Sequence, residues 1–263
     1  MATSGPDVSA SSAASEHPTA VGRSVRLHAY RWEHPDWWLW IASGVAWTAL
    51  VVGAAWPGPA GDDHHQVSAV AGTGPVADLG WWALMVVAMM LPLSAGHVRW
   101  LANRSLVRRR TWTVVLHTVG YLGVWLVLGA VLIPAVRAVD APVTVTVGAL
   151  LAAAAWHVSP YRRRALRRCG AGRAPAVRGR PADLDCLRAG LRTGRLCTVT
   201  CGPAMVAMVA THHLAIMVAI TLLLASERRR APNPQDRAGR VAEAVGLAGV
   251  ALAVALVAAL GTS

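Results

Sequence analysis

The sequence predicts an all-α fold, a polytopic bundle of six to seven transmembrane helices with its N-terminus inside the cell. Two observations carry this prediction. Hydrophobic residues make up 55% of the 263 residues, although the net charge is +12. The basic residues are all Arg and are clustered between long apolar runs, as in loops that flank membrane spans. A nucleic-acid-binding protein has no need of such runs, so we expect the lipid bilayer, and no nucleic acid, as a partner.

Seven apolar runs account for the predicted helices. They occupy residues 37–56, 79–97, 112–134, 143–157, 196–211, 213–226 and 241–260. The first three and the last reach the roughly 20 residues that cross a bilayer, whereas the fourth is marginal. The two runs within 196–226 are short, so we expect a short helical hairpin. It either crosses a thinned membrane, or it is a re-entrant hairpin that enters the membrane and returns to the same side.

Two polar regions separate or precede these runs. Residues 1–36 contain no basic stretch followed by an apolar core, so they do not resemble a signal peptide. Their Ser- and Ala-rich beginning predicts a disordered cytoplasmic tail, followed by a transmembrane helical domain at 37–260. Residues 159–195 hold eleven Arg residues and are expected to form a cytoplasmic loop.

The positions of the Arg residues predict the orientation. If the N-terminus is inside, 24 of the 25 basic residues fall on the cytoplasmic side, and only Arg137 lies outside. Cytoplasmic loops of membrane proteins carry such an excess of Arg, so the C-terminus is expected outside. This orientation holds whether the hairpin at 196–226 crosses or re-enters, because Arg residues flank both of its ends.

The hairpin carries soft metal ligands at a helical spacing. Cys197, Cys201, Met205, Met208 and His212 stand at i, i+4, i+8, i+11 and i+15. In a continuous α-helix these five positions fall within an arc of about 80°, so we predict a row of thiol, thioether and imidazole groups on one face. Two alternatives stay open. The Gly-Pro step at 202–203 bends the helix and turns the cysteines away, or the alignment is a coincidence.

Other ligands are expected at the same site. Met85, Met89 and Met90 precede a proline in the second run, where a bend can turn thioethers toward a common cavity. His157 ends the fourth run, and an imidazole in hydrocarbon needs a partner. The alternatives are that these Met residues only fill space and that His157 is an interfacial residue. Glu227 lies at the same boundary, and the alternative for it is an ion pair with Arg228 or Arg229.

The ligand types predict the metal. Thiolate, thioether and imidazole together suit Cu(I) best, Zn(II) less well, and Mg or Ca hardly at all. Cys197 and Cys201 are predicted to bind most tightly, and Cys169 lies on the same cytoplasmic side, where thiols stay reduced. We therefore expect a protein that is not an enzyme and that binds, delivers or transfers Cu(I). A metal-donating or metal-receiving protein would be its partner.

Other functions remain alternatives at this stage. The sequence has no nucleotide-binding P-loop and no paired carboxylates or Ser/His/Asp arrangement, which argues against a nucleotide-driven pump or an enzyme. A structural or assembly subunit could bind a partner or anionic lipid headgroups through the Arg-rich segment 159–195. A small-molecule permease could use the hairpin at 196–226 as its gate.

Four segments carry a resemblance to a known family. They are WWALMVVAMMLP (81–92), GYLGVW (120–125), HVSPYRRRALRRC (157–169) and the run from residue 190 through CTVTCGPAM to residue 227. Together they resemble a bacterial family of predicted metal-binding integral membrane proteins, a domain of unknown function with some copper-chaperone-like members. The resemblance implies a multi-pass protein of the bacterial plasma (inner) membrane with a role in metal handling.

The sequence departs from this family at several positions. The family has adjacent cysteines followed by Trp, where this chain has Thr200, Cys201 and Gly202. It also has a Cys where Ala165 stands and a Gln where His157 stands. The cysteine site that the resemblance implies is therefore reduced here to Cys169, Cys197 and Cys201.

Overall fold

The computed structural model describes residues 33–55, 74–139, 142–170, 176, 179–211, 213–229 and 237–261. These residues form eight α-helices and one short 3₁₀ helix, Val107–Arg109, and contain no strand. The α-helices are α1 Trp37–Ala55, α2 Pro75–Arg104, α3 Arg110–Arg137, α4 Pro142–Val158, α5 Pro160–Gly170, α6 Gly179–Thr211, α7 Leu214–Arg229 and α8 Arg237–Gly261. The all-α prediction is confirmed. The tail predicted at 1–36 lies almost wholly outside the described residues.

Several of the helices match membrane spans in length and composition. Helices α1, α2, α3 and α6 are each long and apolar enough to cross a bilayer. Helices α4 and α5 give a fifth candidate, although the chain bends by 72° between them. The apolar parts of α7 and α8 are shorter, Leu214–Glu227 and Val241–Val257.

The segment expected as an Arg-rich loop at 159–195 is instead mostly helical. It contains α5 and the first half of α6, a helix of 33 residues. Residues 196–226, predicted as a short hairpin, form the second half of α6 and most of α7. The physical reason is a buried stripe at helical spacing, formed by Ala182, Cys186, Gly190 and Thr193, which lets a charged segment pack as an amphipathic helix.

Helix α6 lies against α3, and glycines bring the two backbones close together. A methyl group on Gly190 would lie 2.1 Å from the His117 carbonyl oxygen, and one on Gly120 would lie 2.5 Å from the Leu187 carbonyl oxygen. An ion pair between Arg109 and the Asp183 carboxylate joins the beginnings of the two helices. The two helices therefore run in the same direction along their shared contact.

Replacing Gly190 by Ala should destabilise the protein. The added methyl group meets a backbone carbonyl that cannot rotate away, and overpacking of this kind costs about 1–3 kcal/mol. Gly123→Ala is the control, because Gly123 lies on α3 with nothing within 4 Å of the added atom. Its effect should be neutral or slightly stabilising, since Ala is the better helix former. Unfolding in a denaturing detergent would measure both, and equal midpoints would show that the close approach is not needed.

Polar side chains fix α2 against its neighbours inside the bundle. The Ser43 hydroxyl on α1 donates to the Ala88 carbonyl oxygen at 2.7 Å. The Trp82 indole donates to the Trp125 carbonyl oxygen on α3 at 2.8 Å. Gly129 gives this indole its space, since a methyl group there would lie 2.3 Å from the Trp82 ring. Helix α2 is thereby held between α1 and α3, with its methionines facing the interior.

Candidate metal centre

Sulfur side chains are concentrated in the buried centre of the bundle. One hydrophobic cluster contains six of the seven methionines and two of the four cysteines. Its sulfur-bearing members are Met85, Met89 and Met90 on α2, Cys197, Cys201, Met205 and Met208 on α6, and Met217 on α7. None exposes more than 4% of its surface. We call this set the sulfur cluster.

The row of ligands predicted on one helical face is buried over the part that the structure describes. Helix α6 continues through Pro203 without a break, and its two cysteines and two methionines belong to the same buried cluster. Both cysteines and both methionines are therefore buried on either side of the Gly-Pro step, as the predicted row requires. His212, the last member of the predicted row, lies outside the described residues.

Hydroxyl groups lie next to both cysteine sulfurs of the cluster. The Tyr121 hydroxyl on α3 lies 3.3 Å from Cys197 Sγ and 3.1 Å from the Met90 carbonyl oxygen. Thr200 Oγ1 donates to the Cys197 carbonyl oxygen at 3.0 Å and lies 3.6 Å from Cys201 Sγ. Tyr121 thus joins α2, α3 and α6 at the first thiol, and Thr200 flanks the second.

A separate polar group lies where α4, α7 and α8 meet. One ligand atom from each of His157, Glu227 and Glu243 lies within 4.8 Å of the other two. His157 and Glu243 are buried, and the Glu227 side chain is 19% exposed. The structure therefore places His157 with two carboxylates. We call these three residues the carboxylate site.

Arg162 on α5 connects the carboxylate site to α6. Its guanidinium binds both oxygens of Glu227, at 2.5 and 2.6 Å. Its Nε donates to the Thr200 carbonyl oxygen at 3.1 Å, one residue from Cys201. Arg162 is only 1% exposed, because the bend between α4 and α5 directs it into the bundle.

Three of these residues were not predicted from the sequence. Tyr121 and Glu243 carried no spacing signal, although a single acid in an apolar helix is costly unless it has a partner. Arg162 stands in a run of basic residues, and nothing local distinguishes it from Arg163 and Arg164, which are less buried. Arg162 pairs with Glu227, whereas the side chains of Arg228 and Arg229, the alternative partners, lie outside the description. Cys169 lies on α5, but its side chain is outside the description.

Taken together, these features define a helical protein whose apolar, span-length helices enclose a thiol and thioether cluster suited to a soft metal ion. The model of the PpoB2 family, described as a copper chaperone, matches residues 79–256. This match covers more than half of the chain, and the chain belongs to that family. The resemblance to a family with copper-chaperone-like members is thereby confirmed. No curated protein and no solved structure matches the chain.

Proposed function

We propose that this protein is a membrane-embedded copper chaperone that binds Cu(I) at Cys197 and Cys201 and moves it along the neighbouring methionines. The observation that carries the proposal is the burial of these thiols with six thioethers in one cluster. Thiolates and thioethers favour Cu(I) over harder or borderline ions. The family match supports copper as the cargo.

The two cysteines are proposed as the tight site and the methionines as weaker relays. Residues at i and i+4 on a helix have Cβ atoms about 5–6 Å apart, so both sulfurs can reach one ion. A thiolate also neutralises the charge of Cu(I), which would be costly to bury alone. Thioethers are neutral and weak ligands, so they suit an ion that must leave again. The proposed activity is binding and transfer, without catalysis.

We further propose that the protein lies in the bacterial plasma membrane with its N-terminus on the cytoplasmic side and its C-terminus on the outer side. Reporter fusions at residue 65 should then report the outside, and fusions at residues 105, 175 and 235 the cytoplasm. The expected result follows from the Arg distribution, because positively charged segments stay in the cytoplasm. A cytoplasmic signal at residue 65 would contradict this orientation.

The proposed transfer role can be tested by loading the protein with Cu(I) and following its release. Detergent-purified, reduced protein should bind Cu(I) and deliver it to a chromogenic Cu(I) chelator. In the double variant Met205→Leu/Met208→Leu, release to the chelator should slow several-fold while affinity changes less. Leu has nearly the volume of Met, so packing is preserved, but it provides no thioether.

A change in the same cluster that removes no thioether is the control for this experiment. Ile220→Leu changes a buried residue on α7 of the same cluster that carries no thioether, and it should leave the release rate close to wild type. Wild-type protein that binds no Cu(I) under reducing conditions would contradict the proposal. The alternative of a structural or assembly subunit would then explain the fold better than copper transfer.

A further inference from the structure

The carboxylate site has the chemistry of a second metal site that contains no sulfur. Its three side chains come from α4, α7 and α8 and provide one imidazole and two carboxylates. We propose that His157, Glu227 and Glu243 bind a borderline divalent cation, of which Zn(II) is the representative. This inference goes beyond copper transfer and does not rest on it.

The distances favour a metal ion over a proton between these groups. His157 Nε2 lies 3.9 Å from Glu227 Oε2, which is too long for the 2.7–2.9 Å of a charge-assisted hydrogen bond. Two ligands bound to one Zn(II) at about 2.1 Å lie about 3.4 Å apart at the tetrahedral angle. The three atoms lie within 4.8 Å of one another, so small side-chain movements bring all three to bonding distance.

The orientation of His157 is that of a metal ligand. Its Nδ1 lies 3.0 Å from the Ala153 carbonyl oxygen. A carbonyl can only accept, so Nδ1 carries the hydrogen, and in the neutral ring the lone pair is then at Nε2. Nε2 is buried and has no hydrogen-bond partner among the described residues. A histidine that donates one ring N–H to a carbonyl and points the other nitrogen at carboxylates matches the usual arrangement around a bound metal.

Arg162 supports this site from outside. It occupies one lone pair on each Glu227 oxygen, and a carboxylate has about four lone-pair positions. Glu227 can therefore be oriented by Arg162 and still bind an ion. Carboxylates that bind a metal are usually hydrogen-bonded in this way. Two acidic side chains in a mostly buried place favour a divalent cation, because opposite charges attract more strongly where water is excluded.

The absence of sulfur from these three ligands separates the site from the copper site. Imidazole and carboxylate together suit Zn(II), whereas Cu(I) favours thiolate and thioether. Arg162 links the two sites through its contacts with Glu227 and with the Thr200 carbonyl next to Cys201. Zinc binding should therefore survive the loss of both cluster cysteines.

The test is a Zn(II) titration of the full-length, detergent-purified protein. Cys197→Ser/Cys201→Ser protein should bind one Zn(II) per chain, and a large excess of Mg(II) should not compete. Adding His157→Gln or Glu243→Gln should weaken Zn(II) binding at least 10-fold. His117→Gln is the matched control, since His117 is also 2% exposed but lies on α3; it should leave Zn(II) affinity unchanged.

A second measurement covers the case in which a variant does not fold. Co(II) bound to wild-type protein should give the weak visible absorption of nitrogen and oxygen ligands, and excess Zn(II) should remove it. Failure of wild-type protein to bind Zn(II) or Co(II) overturns the proposal. Intense thiolate-to-Co(II) charge transfer as the only signal also overturns it, as does unchanged Zn(II) affinity in folded His157→Gln and Glu243→Gln proteins. None of these outcomes would count against the proposed Cu(I) binding at the cysteines.

Discussion

Replacing both Cys197 and Cys201 by Ser should lower the affinity for Cu(I) by more than about 100-fold. Loss of a group that merely orients a ligand already costs 10–100-fold in metal affinity, and this change removes the two strongest ligands themselves. A hydroxyl is a poor ligand for a soft ion. The remaining thioethers are weak and neutral, so they should hold copper only loosely. Equilibrium competition with a chromogenic Cu(I) chelator measures the change.

Cys186→Ser is the matched control for the double cysteine variant. Cys186 is 3% exposed and lies on the same helix, but it precedes Cys197 by eleven residues and is not a member of the sulfur cluster. Its replacement should leave Cu(I) affinity close to wild type. If the double variant retained full affinity, the cysteines would be ordinary packing residues. If Cys186→Ser lost copper equally, the loss would reflect general instability.

Replacing Arg162 by Gln should produce the largest loss of stability. The change removes both guanidinium contacts to Glu227 and the contact to the Thr200 carbonyl. Breaking a buried ion pair from one side costs about 3–5 kcal/mol, and the lower end applies here because Glu227 is 19% exposed. Unfolding in a denaturing detergent measures the effect.

Two further variants show whether the ion pair is the cause. Arg167→Gln removes an exposed arginine from the same helix and should change stability by less than about 0.5 kcal/mol. In Arg162→Gln/Glu227→Gln, the uncompensated carboxylate is gone, so much of the lost stability should return. An Arg162→Gln protein as stable as Arg167→Gln would show that the contact with Glu227 contributes nothing.

Helical periodicity explains what the sequence could predict. Cys197, Cys201, Met205 and Met208 recur with the helical repeat, and the structure buries all four together. The same periodicity predicted most of the apolar helices to within a few residues. It failed at 179–195 because Arg188, Arg192 and Arg195 dominate the composition, while the buried stripe of Ala182, Cys186 and Gly190 consists of small residues with little hydrophobic signal.

The carboxylate site could not be predicted because it depends on contacts between distant segments. His157, Glu227 and Glu243 come from three helices, and no local spacing connects them. Arg162 and its exposed neighbours have the same chemistry, so only the bend after α4 decides which of them enters the bundle. The glycines Gly120 and Gly190 likewise acquire their role only when α3 and α6 meet. A pattern within one helix is visible in the sequence, whereas a site assembled from several helices is not.

X-ray absorption spectroscopy at the copper edge tests the central claim most directly. Reduced wild-type protein loaded with one equivalent of Cu(I) should show a first coordination shell made of sulfur, because thiol and thioether groups line the proposed site. In Cys197→Ser/Cys201→Ser protein that shell should be lost together with the copper. A wild-type first shell of nitrogen and oxygen alone, or a preparation that retains no copper, would contradict the account.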